Sequence, residues 1–270
     1  MKKRIAFLGA GSIAEAIISG LVKAEIVPNE HIYVTNRSNI KRLEEMENRY
    51  EIVSMEDKEK AVNSADIVVL AMKPYDLHDS LQELKSYITE NKLIISILAG
   101  VSTEAITKEL AVNSPVVRVM PNTSAMIGHS ATALAKGEYA DEEHLKLAET
   151  LFNTIGTTTI VDEKDMHAVT AISGSGPAYF YYMVEAMERA AIEAGMDQDI
   201  AKQLITQTVI GAGAMLQQSG EPADVLRKKI TSPNGTTEAG IHVLEENHMH
   251  KILMQCVKSA KERSEELGEE

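Results

Sequence analysis

One stretch, IAFLGAGSIAEAIISGLV at residues 5–22, constrains this chain more than any other. Its first four residues, IAFL, are apolar and have the length of a buried parallel strand. The turn Gly9-Ala10-Gly11 follows at once, and an amphipathic helix starts near Ser12. Strand, glycine turn and helix in this order are what a dinucleotide site requires. Gly9 lets the chain turn tightly out of the strand, Gly11 offers bare backbone to a pyrophosphate, and the small Ala14 allows helix and strand to pack closely. The free N–H groups and positive dipole end of the helix then face the phosphates. Two other readings compete. One is an ordinary βα turn without a ligand. The other is a signal peptide opened by Lys2-Lys3-Arg4, which Glu15 disfavours by interrupting the apolar run.

The rest of the first half repeats the unit. Short runs rich in Val and Ile recur at 31–35 (HIYVT), 52–53, 67–71 (IVVLA), 93–98 (LIISIL) and 116–120 (VVRVM), with helical patterns between them, as at 40–48 and 75–87. The runs are continuous rather than alternating, as in strands covered on both faces. Strand alternating with helix predicts a doubly wound parallel sheet. Weaker strands at 131–135 and 157–161 flank a helix at 142–152 and finish it. Past Val161 strands cease, and long helical patterns take over at 177–194, 200–216 and 237–265. The expected division is therefore 1–162 and 163–270. The later helices are apolar over much of their girth, and a second copy of the same domain is the economical cover for them.

Composition excludes several classes of function. The net charge of −13, to which the tail 265–270 contributes, argues against a nucleic-acid partner. No uninterrupted apolar stretch approaches the length that crosses a bilayer, so no membrane role is expected. A single cysteine, Cys256, rules out an internal disulfide and suits the cytoplasm. There is no H-E-x-x-H and no cysteine pair for a metal, and His248 and His250 point to different helix faces. The run Ser173-Gly174-Ser175-Gly176 lacks the outer glycines of a nucleophile elbow, and no lysine completes a Walker loop. A hydride-transfer enzyme needs none of these, because its cofactor carries the chemistry.

The candidate residues gather at the carboxyl ends of the expected strands, where ligands of open α/β sheets bind. The second strand ends in Thr35-Asn36-Arg37-Ser38, without the acid that would hold an NAD ribose. Arg37 with its hydroxyl and amide neighbours suits a 2′-phosphate, so NADPH is expected, with NADH as the alternative. Ala71-Met72-Lys73-Pro74 ends the fourth strand, and the small residues of 96–100 leave room for a ribose or nicotinamide. Asn122, at the end of the sixth, is placed to reach a carboxamide. The polar loop Lys229-Ile230-Thr231-Ser232-Pro233-Asn234-Gly235-Thr236-Thr237-Glu238-Ala239-Gly240 leads into a helix whose exposed N–H groups suit a small carboxylate. A well-capped helix with no ligand is the competing reading.

These residues resemble the pyrroline-5-carboxylate reductase family over essentially the whole chain. The glycine turn is similar to the family's start, and 71–74 and 96–100 are similar to its AxKP and SxxAG segments. AVTAISGSGPAYFYY at 168–182 is similar to its interdomain helix, and KKITSPNGTTEAG to its signature loop. The resemblance implies a Rossmann-type sheet domain followed by an all-α dimerisation domain, and reduction of 1-pyrroline-5-carboxylate to proline. It also implies a homodimer, often within a larger ring of dimers. It puts Gly9, Ala10, Gly11, Ser12, Ile13, Asn36, Arg37, Ser38, Ala71, Met72, Lys73 and Ala99 at the cofactor. It puts Glu163, Ser232, Gly235, Thr236 and Thr237 at the substrate, with the Thr237 hydroxyl placed to hydrogen-bond the ring nitrogen as the catalytic residue. Family members often have an Asn before the fourth strand that touches adenosine; this chain has Glu56-Asp57-Lys58 there, and none is carried over. The alternatives are a β-hydroxyacid dehydrogenase and a non-catalytic NADP(H) sensor. The first needs a lysine on the interdomain helix, yet 174–188 has no Lys or Arg.

Overall fold

The computed structural model describes residues 1–269; Glu270, which closes the acidic tail and the expected second domain, lies outside them. Eight strands form one sheet in the order β3-β2-β1-β4-β5-β6-β7-β8. They are β1 (Ile5–Leu8), β2 (Ile32–Thr35), β3 (Val53–Ser54), β4 (Ile67–Leu70), β5 (Leu93–Ser96), β6 (Val116–Met120), β7 (Ser130–Lys136) and β8 (Gly156–Ile160). β1 to β6 run parallel; β7 reverses against β6, and β8 runs parallel to β7. The parallel part pairs in strict register, Ile5 opposite both Ile32 and Ile67.

The helices of this half are α1 (Ser12–Lys23), α2 (Ile40–Tyr50), α3 (Lys58–Ser64), α4 (Leu77–Leu84), α5 (Thr103–Leu110) and α6 (Glu142–Phe152). The central strands β1, β4 and β5 divide their side chains between two cores. Ile5, Phe7, Ile67, Val69, Leu93 and Ile95 face one that also takes residues of α1, α2 and α6. Ala6, Leu8, Val68, Leu70 and Ile94 face the other, with residues of α3, α4 and α5. Burial on both faces is the physical reason that the strands read as unbroken apolar runs.

The later helices are α7 (Met166–Val169), α8 (Gly176–Glu193), α9 (Gln198–Ser219), α10 (Ala223–Lys229), α11 (Thr236–Glu246) and α12 (Met249–Glu269), with a π-helical turn, Thr170–Gly174, between α7 and α8. The helix expected over 237–265 is thus two. The chain breaks at His248, whose φ of 54° is left-handed and ends the ladder even though the apolar spacing continues past it. The structure also adds α10, over residues to which the apolar spacing assigns no element.

By contacts the chain forms two compact units, Met1–Pro177 with the described residues from Lys258 onward, and Ala178–Val257. The contact division falls after Pro177 because residues just past Asp162 pack against the sheet. Met166 is fully buried in a small core with Met120, Ala133 and Ala135. The second unit buries little of its own apolar surface: Ala201 and Ile205 are buried, but Tyr182, Leu204, Ile210 and Met254 each leave more than half of their surface exposed. Apolar side chains exposed along several helices mark an interaction surface.

Candidate active site

β1 stands between β2 and β4, so the strand order switches there and a crevice opens at the strands' carboxyl ends. Gly9 bridges those ends. Its N–H donates to the Thr35 carbonyl at 3.1 Å, and its φ of 125° is one that L side chains rarely adopt. A Cβ there would lie 2.4 Å from the Ala71 carbonyl oxygen. Gly11 differs: its φ is −74°, and a Cβ would meet nothing within 4 Å. Its bareness keeps space open in front of α1. No side chain caps that helix, whereas Asn39, Asp57, Ser102, Asp141 and Asp197 cap α2, α3, α5, α6 and α9. The leading N–H groups of α1 therefore stay available to an anion.

A carboxylate stands in the first turn of this helix, which would repel phosphate were it free. Glu15 is buried, and its oxygens accept hydrogen bonds from Arg42, from Arg49 at 2.7 Å and from the Tyr50 hydroxyl at 2.9 Å. Burial pushes its carboxyl up, but the hydrogen bonds of Arg42 and Tyr50 and the charges of Arg42 and Arg49 outweigh this and hold it below the usual range. Arg42 also donates from Nε to the Ala10 carbonyl at 3.1 Å, fixing the glycine turn itself. Sequence reasoning missed this clamp. The signal was Glu15, an acid on the apolar face of α1, which demands cationic partners.

A cavity of about 650 Å3 occupies the crevice. Of the residues expected at the cofactor, Gly9, Ala10, Gly11, Asn36, Arg37, Ser38, Ala71, Met72 and Lys73 line it together. Ser12 and Ile13 open α1 beside it. Ala99 packs instead against the core of Met120, Ala133, Ala135 and Met166. Asn122 is held by its neighbours. Its side-chain oxygen accepts from the Ser124 N–H at 3.1 Å and its amide donates to the Ser173 carbonyl at 3.0 Å, so it shapes a turn and does not line the cavity. Arg37, at the end of β2, is paired across the crevice: Asp76 accepts a 2.6 Å hydrogen bond from Arg37 Nη1.

Glu163, expected at the substrate, has both carboxylate oxygens engaged. They accept from the Thr103 N–H at 2.7 Å and from the Thr103 hydroxyl, and Arg118 Nη1 lies 3.6 Å away. Arg118 is 1% exposed in the middle of β6, and its Nε and Nη2 have no partner among the described residues. Burial holds the guanidinium below its usual range, and the Glu163 carboxylate offsets only part of this.

In the second unit, the loop after α10 is held by its own backbone. The Gly235 N–H donates to the Ser232 carbonyl at 3.0 Å, Asn234 is left-handed with φ 60°, and its N–H donates to Glu238 at 2.7 Å. A Cβ on Gly235 would lie 2.5 Å from Ser232 Oγ. Gly235 starts α11 without a side-chain cap, as Gly11 starts α1. A cavity of about 680 Å3 lies beside the loop; Gly235 lines it, while Ser232, Thr236 and Thr237 do not.

This arrangement is shared with known proteins. A family model described as pyrroline-5-carboxylate reductase dimerisation matches residues 163–267, and one described as NADP oxidoreductase, coenzyme F420-dependent, matches residues 4–100. Pyrroline-5-carboxylate reductase 1 of Bacillus subtilis is 46% identical over 269 residues, which is 100% of this chain and 91% of that protein. This chain belongs to the pyrroline-5-carboxylate reductase family. The Arabidopsis thaliana reductase is 35% identical across 98% of this chain and 96% of its own length. The solved structure of the Coxiella burnetii pyrroline-5-carboxylate reductase superposes with a TM-score of 0.92, at 35% identity and 99% coverage of both chains. The Plasmodium falciparum pyrroline carboxylate reductase, solved with NADP bound, gives 0.89 at 29% identity and 98% coverage of both. Pyrroline-5-carboxylate reductases thus share this chain's fold across both units.

Proposed function

We propose that this chain reduces 1-pyrroline-5-carboxylate to proline with NADPH, NADH serving as the alternative donor. In this reading it is a cytoplasmic homodimer within a ring of dimers, and the dimerising half begins at residue 163. The observation that carries the reading is the pair of uncapped, glycine-started helices, α1 and α11, on a chain that matches the family end to end. Each supplies free N–H groups for an anion: the cofactor pyrophosphate at α1, the substrate carboxylate at α11. The open space at Gly11 and the cavity around it fit a dinucleotide.

Bound reduced nicotinamide supplies the hydride. The chain's own residues orient the partners, a contribution worth roughly 7–11 kcal/mol at its best. Arg37 and Ser38 hold the 2′-phosphate, and the backbone from Ser232 to Thr237 holds the carboxylate. The Thr237 hydroxyl hydrogen-bonds the ring nitrogen, and an imine that enters protonated needs no further acid. Glu163 acts as a positioning residue, through Thr103 and Arg118.

Adding the imine to protein and NADPH consumes the NADPH absorbance, and a set of hydroxy acids with NADP+ restores none. No absorbance change in either arm would leave only a sensor. Thr237→Ala lowers turnover about tenfold to a hundredfold, the loss of a hydrogen bond to a charged group, while NADPH affinity stays near normal. Equal loss of both would contradict the assignment of Thr237.

A further inference from the structure

The cofactor cavity contains a cation, in the stretch where family members often have an adenosine-touching Asn, to which neither the motif nor the resemblance gives a role. Lys58 lines it together with Arg37, Ser38, Asp76 and Glu83. Its position follows from the sheet: Val34 pairs with Ser54, the Met55 N–H donates to the Val34 carbonyl at 2.9 Å, and three residues on the chain opens α3 with Lys58. Lys58 therefore stands at the carboxyl edge beside the end of β2, where Arg37 and Ser38 also lie. That is the ribose end of a dinucleotide in this fold.

Local structure gives no reason for a lysine there. The first position of a helix meets the positive end of its dipole, which disfavours a cation. Asp57 already caps α3, accepting the Lys60 N–H at 3.0 Å. The pair of Lys58 Nζ with Glu83 Oε2, 3.1 Å apart, has its carboxylate half exposed, and such pairs add little to stability. Both cations of this wall are held by single carboxylates, Arg37 by Asp76 and Lys58 by Glu83. A phosphate offers more charge and more acceptor oxygens than either carboxylate.

We propose that Lys58 is the second cation of the 2′-phosphate seat, shared with Arg37 and Ser38, and that it leaves Glu83 for the phosphate when the dinucleotide binds. The inference rests on the reading of this crevice as an NADP(H) site. It makes Lys58 a specificity-determining residue for the phosphorylated cofactor.

Calorimetric titration of the full chain with 2′,5′-ADP and with 5′-AMP tests it without any turnover. The wild type prefers 2′,5′-ADP. Lys58→Met loses about tenfold or more of that preference, the value of one charge-assisted hydrogen bond, and keeps its affinity for 5′-AMP. Glu83→Gln, which frees Lys58 without removing it, raises the preference. A Lys58→Met variant that keeps the preference, or that weakens both fragments equally, overturns the proposal, as does a Glu83→Gln variant with lowered preference. Arg37→Met separates the two readings. Preference lost there but kept in Lys58→Met overturns the role of Lys58 alone; a wild type that binds both fragments equally overturns the NADP(H) reading and this inference with it.

Discussion

Alanine at Gly9 removes cofactor binding and about 3 kcal/mol of stability together, whereas alanine at Gly11 removes binding alone. At Gly9 the new methyl would stand 2.4 Å from the Ala71 carbonyl oxygen and 2.9 Å from the Met72 nitrogen, and both obstacles are backbone. That backbone cannot yield cheaply, because the Ala71 N–H donates to the Leu8 carbonyl at 3.0 Å and holds the strand ends together. The φ of 125° adds strain of its own. Strained backbone and overpacking each cost roughly 1–3 kcal/mol, which gives the expected sum. At Gly11 the same methyl meets only open space at an ordinary φ. Its effect falls on the approach of a pyrophosphate, so the variant folds normally and binds NADPH about tenfold or more weakly. Urea unfolding at fixed protomer concentration and NADPH titration measure the two effects separately. Normal NADPH binding by Gly11→Ala would show that phosphate does not come up against that turn.

The second large effect is at Glu163. Removing its carboxylate by Glu163→Ala leaves Arg118, 1% exposed and already with two N–H donors lacking a described partner, as an uncompensated buried charge. It also takes the acceptor away from the Thr103 N–H at the start of α5. A buried pair broken on one side costs about 3–5 kcal/mol. Arg118→Met combined with Glu163→Met restores much of that loss, since apolar replacement of both partners is often near neutral. Urea unfolding of Arg118→Met, of Glu163→Met and of the double variant gives the coupling directly. A Glu163→Ala protein as stable as the wild type would mean that the carboxylate is not what keeps Arg118 inside.

Most of the fold was legible because parallel strands buried on both faces leave an unmistakable trace. The runs at β1, β4 and β6 start where the apolar residues start, and α6 covers the same residues as its pattern, Glu142–Phe152. Strand direction was not legible. Nothing in the run of β7 says that it reverses against β6, because an apolar run carries no arrow. The break between α11 and α12 was hidden for a related reason: apolar spacing persists through His248, and only its left-handed backbone ends the helix. At the site, the glycine turn and the loop from Lys229 to Gly240 announced themselves through residues that only special backbone shapes require. What stayed hidden depended on pairs distant in sequence. Asp76 reaches Arg37, and Glu163 reaches Thr103 and Arg118, only after the sheet has formed. The turn that Asn122 shapes was also hidden, because an amide at a strand end serves a turn as readily as a ligand.

A crystal of the protein grown with NADP+ and proline measures the central geometry directly. The expected result is a proline carboxylate on the backbone N–H groups at Gly235 to Thr237, with the proline ring against C4 of the nicotinamide. Proline seated away from that carbon, or away from that loop, would contradict it.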